Sequence, residues 1–182
     1  MRLNAAVRNS LSDGNRENST DIFMRTSTYI ALATSLLIAV SGCSRAKPVG
    51  LSIEGYNYTS RFIADFTVTD ENGNGAWGGD VLLSTPTAGG GKDTCCVMLD
   101  PNNRKPARLR IDWTYDRIDD AEGHTIAPAI KRTAWVTISP PYPDDPQNFE
   151  VHFYPDNHVE AAVTHWSSAP RISLPANRKP MP

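Results

Sequence analysis

Apolar and polar positions alternate most strictly between Arg108 and Tyr115, where Leu109, Ile111, Trp113 and Tyr115 interleave with Arg108, Arg110, Asp112 and Thr114. A period of two residues is that of a strand with one face in a core and one in water. Leu51 to Thr59, Arg61 to Thr69, Thr133 to Ser139, Phe149 to Tyr154 and Val159 to Thr164 show the β-branched and aromatic enrichment of further strands. Turn-forming sequences separate them: Glu71-Asn72-Gly73-Asn74-Gly75, Pro140-Pro141-Tyr142-Pro143 and Pro155-Asp156-Asn157. No long helical period competes. Together with fourteen prolines, the pattern predicts an all-β domain, an antiparallel β-sandwich or open barrel, over residues 50–166. Residues 167–182, with Pro170, Pro175, Pro180 and Pro182, read as an extended tail on the surface or disordered.

A different pattern precedes this domain. Residues 1–23 are polar and without apolar period, and Met24-Arg25 then leads into an apolar run from Tyr29 to Val40 and the small residues Ser41 and Gly42 before Cys43. This is the layout of a signal peptide over residues 24–42, with Met24 as the expected start of translation and residues 1–23 as an over-extended start or disordered segment. The apolar run is shorter than the roughly 20 residues a spanning helix needs. Val40-Ser41-Gly42-Cys43 resembles the bacterial lipobox, which implies acylation of Cys43, cleavage before it, and a lipidated tether over residues 43–49. The alternative is a plain secretory peptide with an incidental cysteine. In the lipoprotein pattern Ser44, in place of Asp, implies the outer membrane, so the expected location is the cell envelope, lipid-anchored and facing the periplasm.

Composition narrows the function classes. Hydrophobic residues are 40% and charged residues 21% of the 182, as in ordinary globular proteins. The chain beyond Cys43 has 139 residues, enough for a core without metals or staples. The whole chain carries a net charge of −2, and its first 43 residues hold four arginines against Asp13, Glu17 and Asp21, so the remainder stands at −3. Without a basic run interleaved with aromatics, nucleic acid is not an expected partner.

Candidate chemistry is sparse. Gly89-Gly90-Gly91-Lys92 runs into Asp93-Thr94-Cys95-Cys96, but a phosphate loop requires Ser or Thr directly after the lysine. The glycines are expected to serve a close backbone approach or a turn with positive φ. Cys95 and Cys96 are the thiols left once Cys43 is acylated. Neighbouring Cα atoms across a trans peptide lie nearer than a usual disulfide allows, so reduced structural cysteines are expected, with a strained vicinal bridge as the rival. His124, His152, His158 and His165 lack ligand spacing and read as exposed strand-face histidines. Asp119-Asp120 and Asp144-Asp145 read as solvated loop acids, and no Gly-x-Ser-x-Gly is present. No enzyme activity, cofactor or metal is therefore expected. Trp113 reads as core, whereas Trp77, beside Gly78-Gly79, reads as a binding anchor if exposed.

The lipobox, Gly55-Tyr56-Asn57-Tyr58-Thr59, the Gly89-Gly90-Gly91 loop with Cys95-Cys96, the strand ending in Asp112-Trp113, and Val151-His152-Phe153-Tyr154-Pro155-Asp156 together resemble a family of small proteobacterial lipoproteins of formally unknown function. The resemblance spans most of residues 50–175. Members of that family lie beside type VI secretion phospholipase effectors, and the resemblance implies an immunity protein whose partner is such an effector, held at the membrane by its lipid. Trp77, Gly89, Gly90, Gly91 and Tyr142 are the expected partner contacts. The alternative is an envelope lipoprotein with a structural or assembly role. Oligomeric state is not legible.

Overall fold

The computed structural model describes residues 47–181; Cys43 and the signal segment lie outside them. Among the described residues ten strands occur in the order β1 (Val49–Asn57), β2 (Ile63–Asp70), β3 (Gly75–Val81), β4 (Thr94–Leu99), β5 (Ala107–Tyr115), β6 (Ile118–Asp119), β7 (Thr125–Ala127), β8 (Ile130–Ile138), β9 (Asn148–Phe153) and β10 (Val159–Thr164). No α-helix occurs among the described residues, and none there is long and apolar enough to cross a membrane.

The strands form two four-stranded sheets and a small β6-β7 hairpin. One sheet runs β10-β9-β1-β4 and the other β3-β2-β5-β8. The second is antiparallel throughout. In the first, β1 pairs with β4 antiparallel but with β9 parallel, so the sandwich is mixed in that sheet. Their inner faces meet in one core that includes Leu51, Ile53, Phe66, Ile111, Phe149, Val151 and Phe153, all fully buried. Trp113 lies in this core, its ring 5.5 Å from that of Phe153.

The alternation read in β5 holds residue by residue, with Leu109, Ile111, Trp113 and Tyr115 buried. β9 behaves differently, because Phe149 through Phe153 are all buried. Phe149, Val151 and Phe153 face the core, so Glu150 and His152 point to the other side of the sheet. The C-terminal tail lies over that side. Ser168 N–H donates to Glu150 Oε1 at 2.7 Å, Tyr56 Oη donates to the Ser168 carbonyl at 2.7 Å, and Arg171 N–H donates to Tyr58 Oη at 2.9 Å. Arg178 fastens the far end of the tail through guanidinium bonds to the carbonyls of Asn57, Ser84, Tyr58 and Thr59.

Candidate functional site

Two regions concentrate unusual residues. The first is the side of the sandwich where β3, an edge of one sheet, runs beside β4, an edge of the other. Of the β3 glycines, Gly78 is required by space and Gly79 by backbone conformation. A Cβ on Gly78 would sit 2.0 Å from Phe66 Cζ, and Gly79 adopts φ +81°. A Cβ on Gly79 would meet Thr94 Cγ2 at 3.4 Å and Trp77 Cη2 at 3.9 Å. The Trp77 ring is thus seated over a bare stretch of backbone, beside the residue that opens β4, and is 58% exposed.

Cys95 and Cys96 follow Thr94. Their sulfurs are bonded to one another, which corrects the expectation of two reduced thiols. The peptide between them is cis, and the Cα atoms are 3.1 Å apart. Cys95 is exposed and Cys96 half-buried. Cys96 and Met98 line a groove of about 230 Å³ with Ala76 and Val68. Met98 on β4 and Leu82, just past β3, are both more than half exposed.

The glycine run closes this side from within. The Gly89 carbonyl accepts from Asn57 N–H at 3.1 Å, the Gly90 carbonyl from Leu82 N–H at 3.0 Å, and Gly91 N–H donates to the Gly55 carbonyl at 3.0 Å. A Cβ on Gly90 would lie 2.1 Å from the Leu82 carbonyl oxygen, and one on Gly89 2.7 Å from that of Gly55. These residues stitch β1 to the end of β3. Gly89 is buried and Gly90 and Gly91 are half-buried, so their backbone is committed to internal bonds. Tyr142 lies elsewhere, half-buried against the core with Ala161 and Val163 and with its hydroxyl unpartnered. Burial raises its pKa. Of the expected contacts, Trp77 and the glycine run share one side of the molecule with the cysteines, and Tyr142 does not.

The second region is the network beneath the tail. His152, read in the sequence as an exposed strand-face residue, is fully buried, as is Glu150. The reason is the tail, whose covering of β9 no local pattern announces. His152 Nε2 lies 3.2 Å from Glu150 Oε2, and Nδ1 lies 2.9 Å from Tyr58 Oη. Because Tyr58 Oη accepts from Arg171 N–H, its own proton goes to Nδ1, and Nε2–H donates to the carboxylate. Tyr56 stacks on the imidazole at 4.5 Å between centroids. Burial lowers the pKa of His152, favouring the neutral ring. For Glu150, burial works to raise the pKa, but hydrogen bonds from His152 and Ser168 prevail and it falls below the usual value. The acid-base pair is therefore neutral imidazole beside carboxylate, saturated with partners and closed to solvent.

The described residues contain no cluster of three or more His, Cys, Asp or Glu side chains arranged to hold a metal ion. A family model described as "Protein of unknown function (DUF3304)" matches residues 56–161, more than half of the chain. No curated protein and no solved structure matches it.

Proposed function

The chain belongs to the DUF3304 family, whose description leaves activity open, and from its resemblance to lipoproteins found beside type VI secretion phospholipase effectors we propose that it is a periplasm-facing lipoprotein that binds and neutralises such an effector. The observation that carries the binding half of this reading is the β3-β4 side. Trp77, Leu82 and Met98, on or just past these strands, are each more than half exposed, and Met98 lines a groove with Cys96 of the disulfide. A large aromatic side chain held on a strand makes a strong interface anchor, because little of its freedom remains to be lost on binding. The sealing of Glu150 and His152 supports binding over hydrolysis, since an acid-base pair with no exposed atom cannot reach a substrate.

The address half rests on the Val40-Ser41-Gly42-Cys43 sequence and on the family resemblance. A lipid on Cys43 would hold the sandwich near the bilayer, raising its local concentration where a phospholipase works. The test is to read the genes flanking this one for a phospholipase effector, the absence of which counts against the proposal, and to direct that effector to the periplasm with and without the chain. Survival with the chain and lysis without it is the expected result, and equal killing in both cultures overturns the proposal. A Trp77→Ala variant should protect less at unchanged abundance.

A further inference from the structure

At the end of the sandwich where β1 and β5 finish, a cavity of about 480 Å³ is lined by Arg61, Arg132 and Arg178 together with Tyr58, Tyr115 and Asn157. No Asp or Glu lines it, and none of the three arginines forms an ion pair among the described residues. Arg61 is the most telling. It is nine-tenths buried, yet Nε has no hydrogen-bond partner while Nη2 donates to the carbonyls of Asp116 and Pro128. Arg178 meets only backbone carbonyls, and burial lowers its pKa. Arg132 is exposed, its guanidinium makes a single 3.4 Å contact with the Lys131 carbonyl, and it lines both this cavity and a neighbouring one that holds Asp65 and Asp112.

Carbonyl oxygens are dipoles and do not neutralise a guanidinium. A buried cation with a donor unused stabilises the fold poorly unless an anion completes it. Guanidinium groups bind oxyanions through parallel N–H···O bonds, and phosphate matches that fork. The cavity exceeds the size of a bare ion, and Ile130 and Met181 add an apolar flank on which an organic portion can rest.

We propose that this cavity is a binding site for a phosphate group, free or carried on a glycerol headgroup, held by Arg61 and Arg132 in the positive field of Arg178. The site goes beyond the effector-binding role and does not depend on it.

The test uses the full chain in phosphate-free buffer, titrated by calorimetry with inorganic phosphate, with glycerol 3-phosphate, and with vesicles of phosphatidylglycerol or of phosphatidylcholine alone. The expected result is saturable binding of at least one phosphate probe below about 10 mM, weakened tenfold or more in Arg132→Gln and unchanged in Arg110→Gln, which lies on the outer face of β5. Because Arg61→Gln removes buried hydrogen bonds and can unfold the chain, the exposed Arg132 carries the decision. Tighter binding of glycerol 3-phosphate or of phosphatidylglycerol vesicles identifies a headgroup ligand, and equal or tighter binding of inorganic phosphate identifies the free ion; both support the site. Absence of saturable binding by every probe, or equal loss in Arg132→Gln and Arg110→Gln, overturns it.

Discussion

Tyr58→Phe removes one oxygen atom from the network under the tail and leaves the ring in place beside Tyr154, 5.1 Å away between centroids. That oxygen donates to His152 Nδ1 and accepts from Arg171 N–H. Without it, Nδ1 becomes a buried acceptor with no donor, since His152 is fully buried and the opposite nitrogen is engaged by Glu150. An orphaned buried acceptor costs about 1–3 kcal/mol. The Arg171 amide sits at an exposed residue and recovers a water partner, so it adds little. The expected loss is about 2 kcal/mol, seen as a fall in Tm of roughly 6–8 °C for a domain of this size. Urea denaturation of the full chain measures it, with Tyr154→Phe as the control. The Tyr154 hydroxyl bonds the exposed Glu160 at 3.0 Å, and its removal should change stability by about 0.5 kcal/mol or less. Amide exchange at Arg171 should quicken in Tyr58→Phe alone. Stability within about 0.5 kcal/mol of the parent, or equal losses in the two variants, would refute the assignment of Tyr58 as the link between tail and histidine.

Acid should weaken the fold through the same network. The folded chain holds His152 below its ordinary pKa of 6.5, so on acidification the unfolded chain takes up the proton first and stability falls as pH drops below about 6.5, by at most about 1.4 kcal/mol per pH unit. Glu150, also lowered, adds a second loss below its ordinary value of 4.5. Denaturation at pH 7.0 and 5.5 in the parent and in His152→Gln should show the first loss in the parent only. Gly78→Ala drives a Cβ to within 2.0–2.4 Å of the buried Phe66 ring and should destabilise by about 1–3 kcal/mol, whereas Gly75→Ala, whose nearest neighbour would be Thr69 Oγ1 at 3.4 Å, should be close to neutral by thermal melting. Cys43→Ala should abolish metabolic labelling with palmitate, and labelling as strong as in the parent would remove the lipid anchor from the account.

The legibility of the sequence followed the range of its interactions. β5 was readable because it has one core face and one wet face, the condition under which alternation reports burial, and β8 through its β-branched and aromatic residues. β3 and β4 were not: Gly78 and Gly79 have no β propensity, and their role appears only when Phe66 and Trp77 are placed around them. The parallel pairing of β1 with β9 joins Ile53 to Phe149, a contact that no turn specifies. The largest surprise, buried Glu150 and His152, arises from a tail whose Ser168 bonds Glu150 and whose Arg171 bonds Tyr58, the partner of His152. A strand reading Phe-Glu-Val-His-Phe looks half-wet until its cover is known. The glycine run was read for its backbone and functions in that way, while the arginine cavity assembles residues from β1's exit, β8 and the tail, which share no local pattern.

Under the proposed role, this chain inhibits a phospholipase by binding it through the β3-β4 side. The most direct measurement is the hydrolysis rate of a purified type VI secretion phospholipase effector found among the flanking genes, titrated with the full chain and with its Trp77→Ala variant. The account predicts inhibition that saturates at a fixed stoichiometry in the parent and an affinity loss of about 2 kcal/mol or more, some thirtyfold, in the variant. An unchanged hydrolysis rate at saturating parent chain would contradict it.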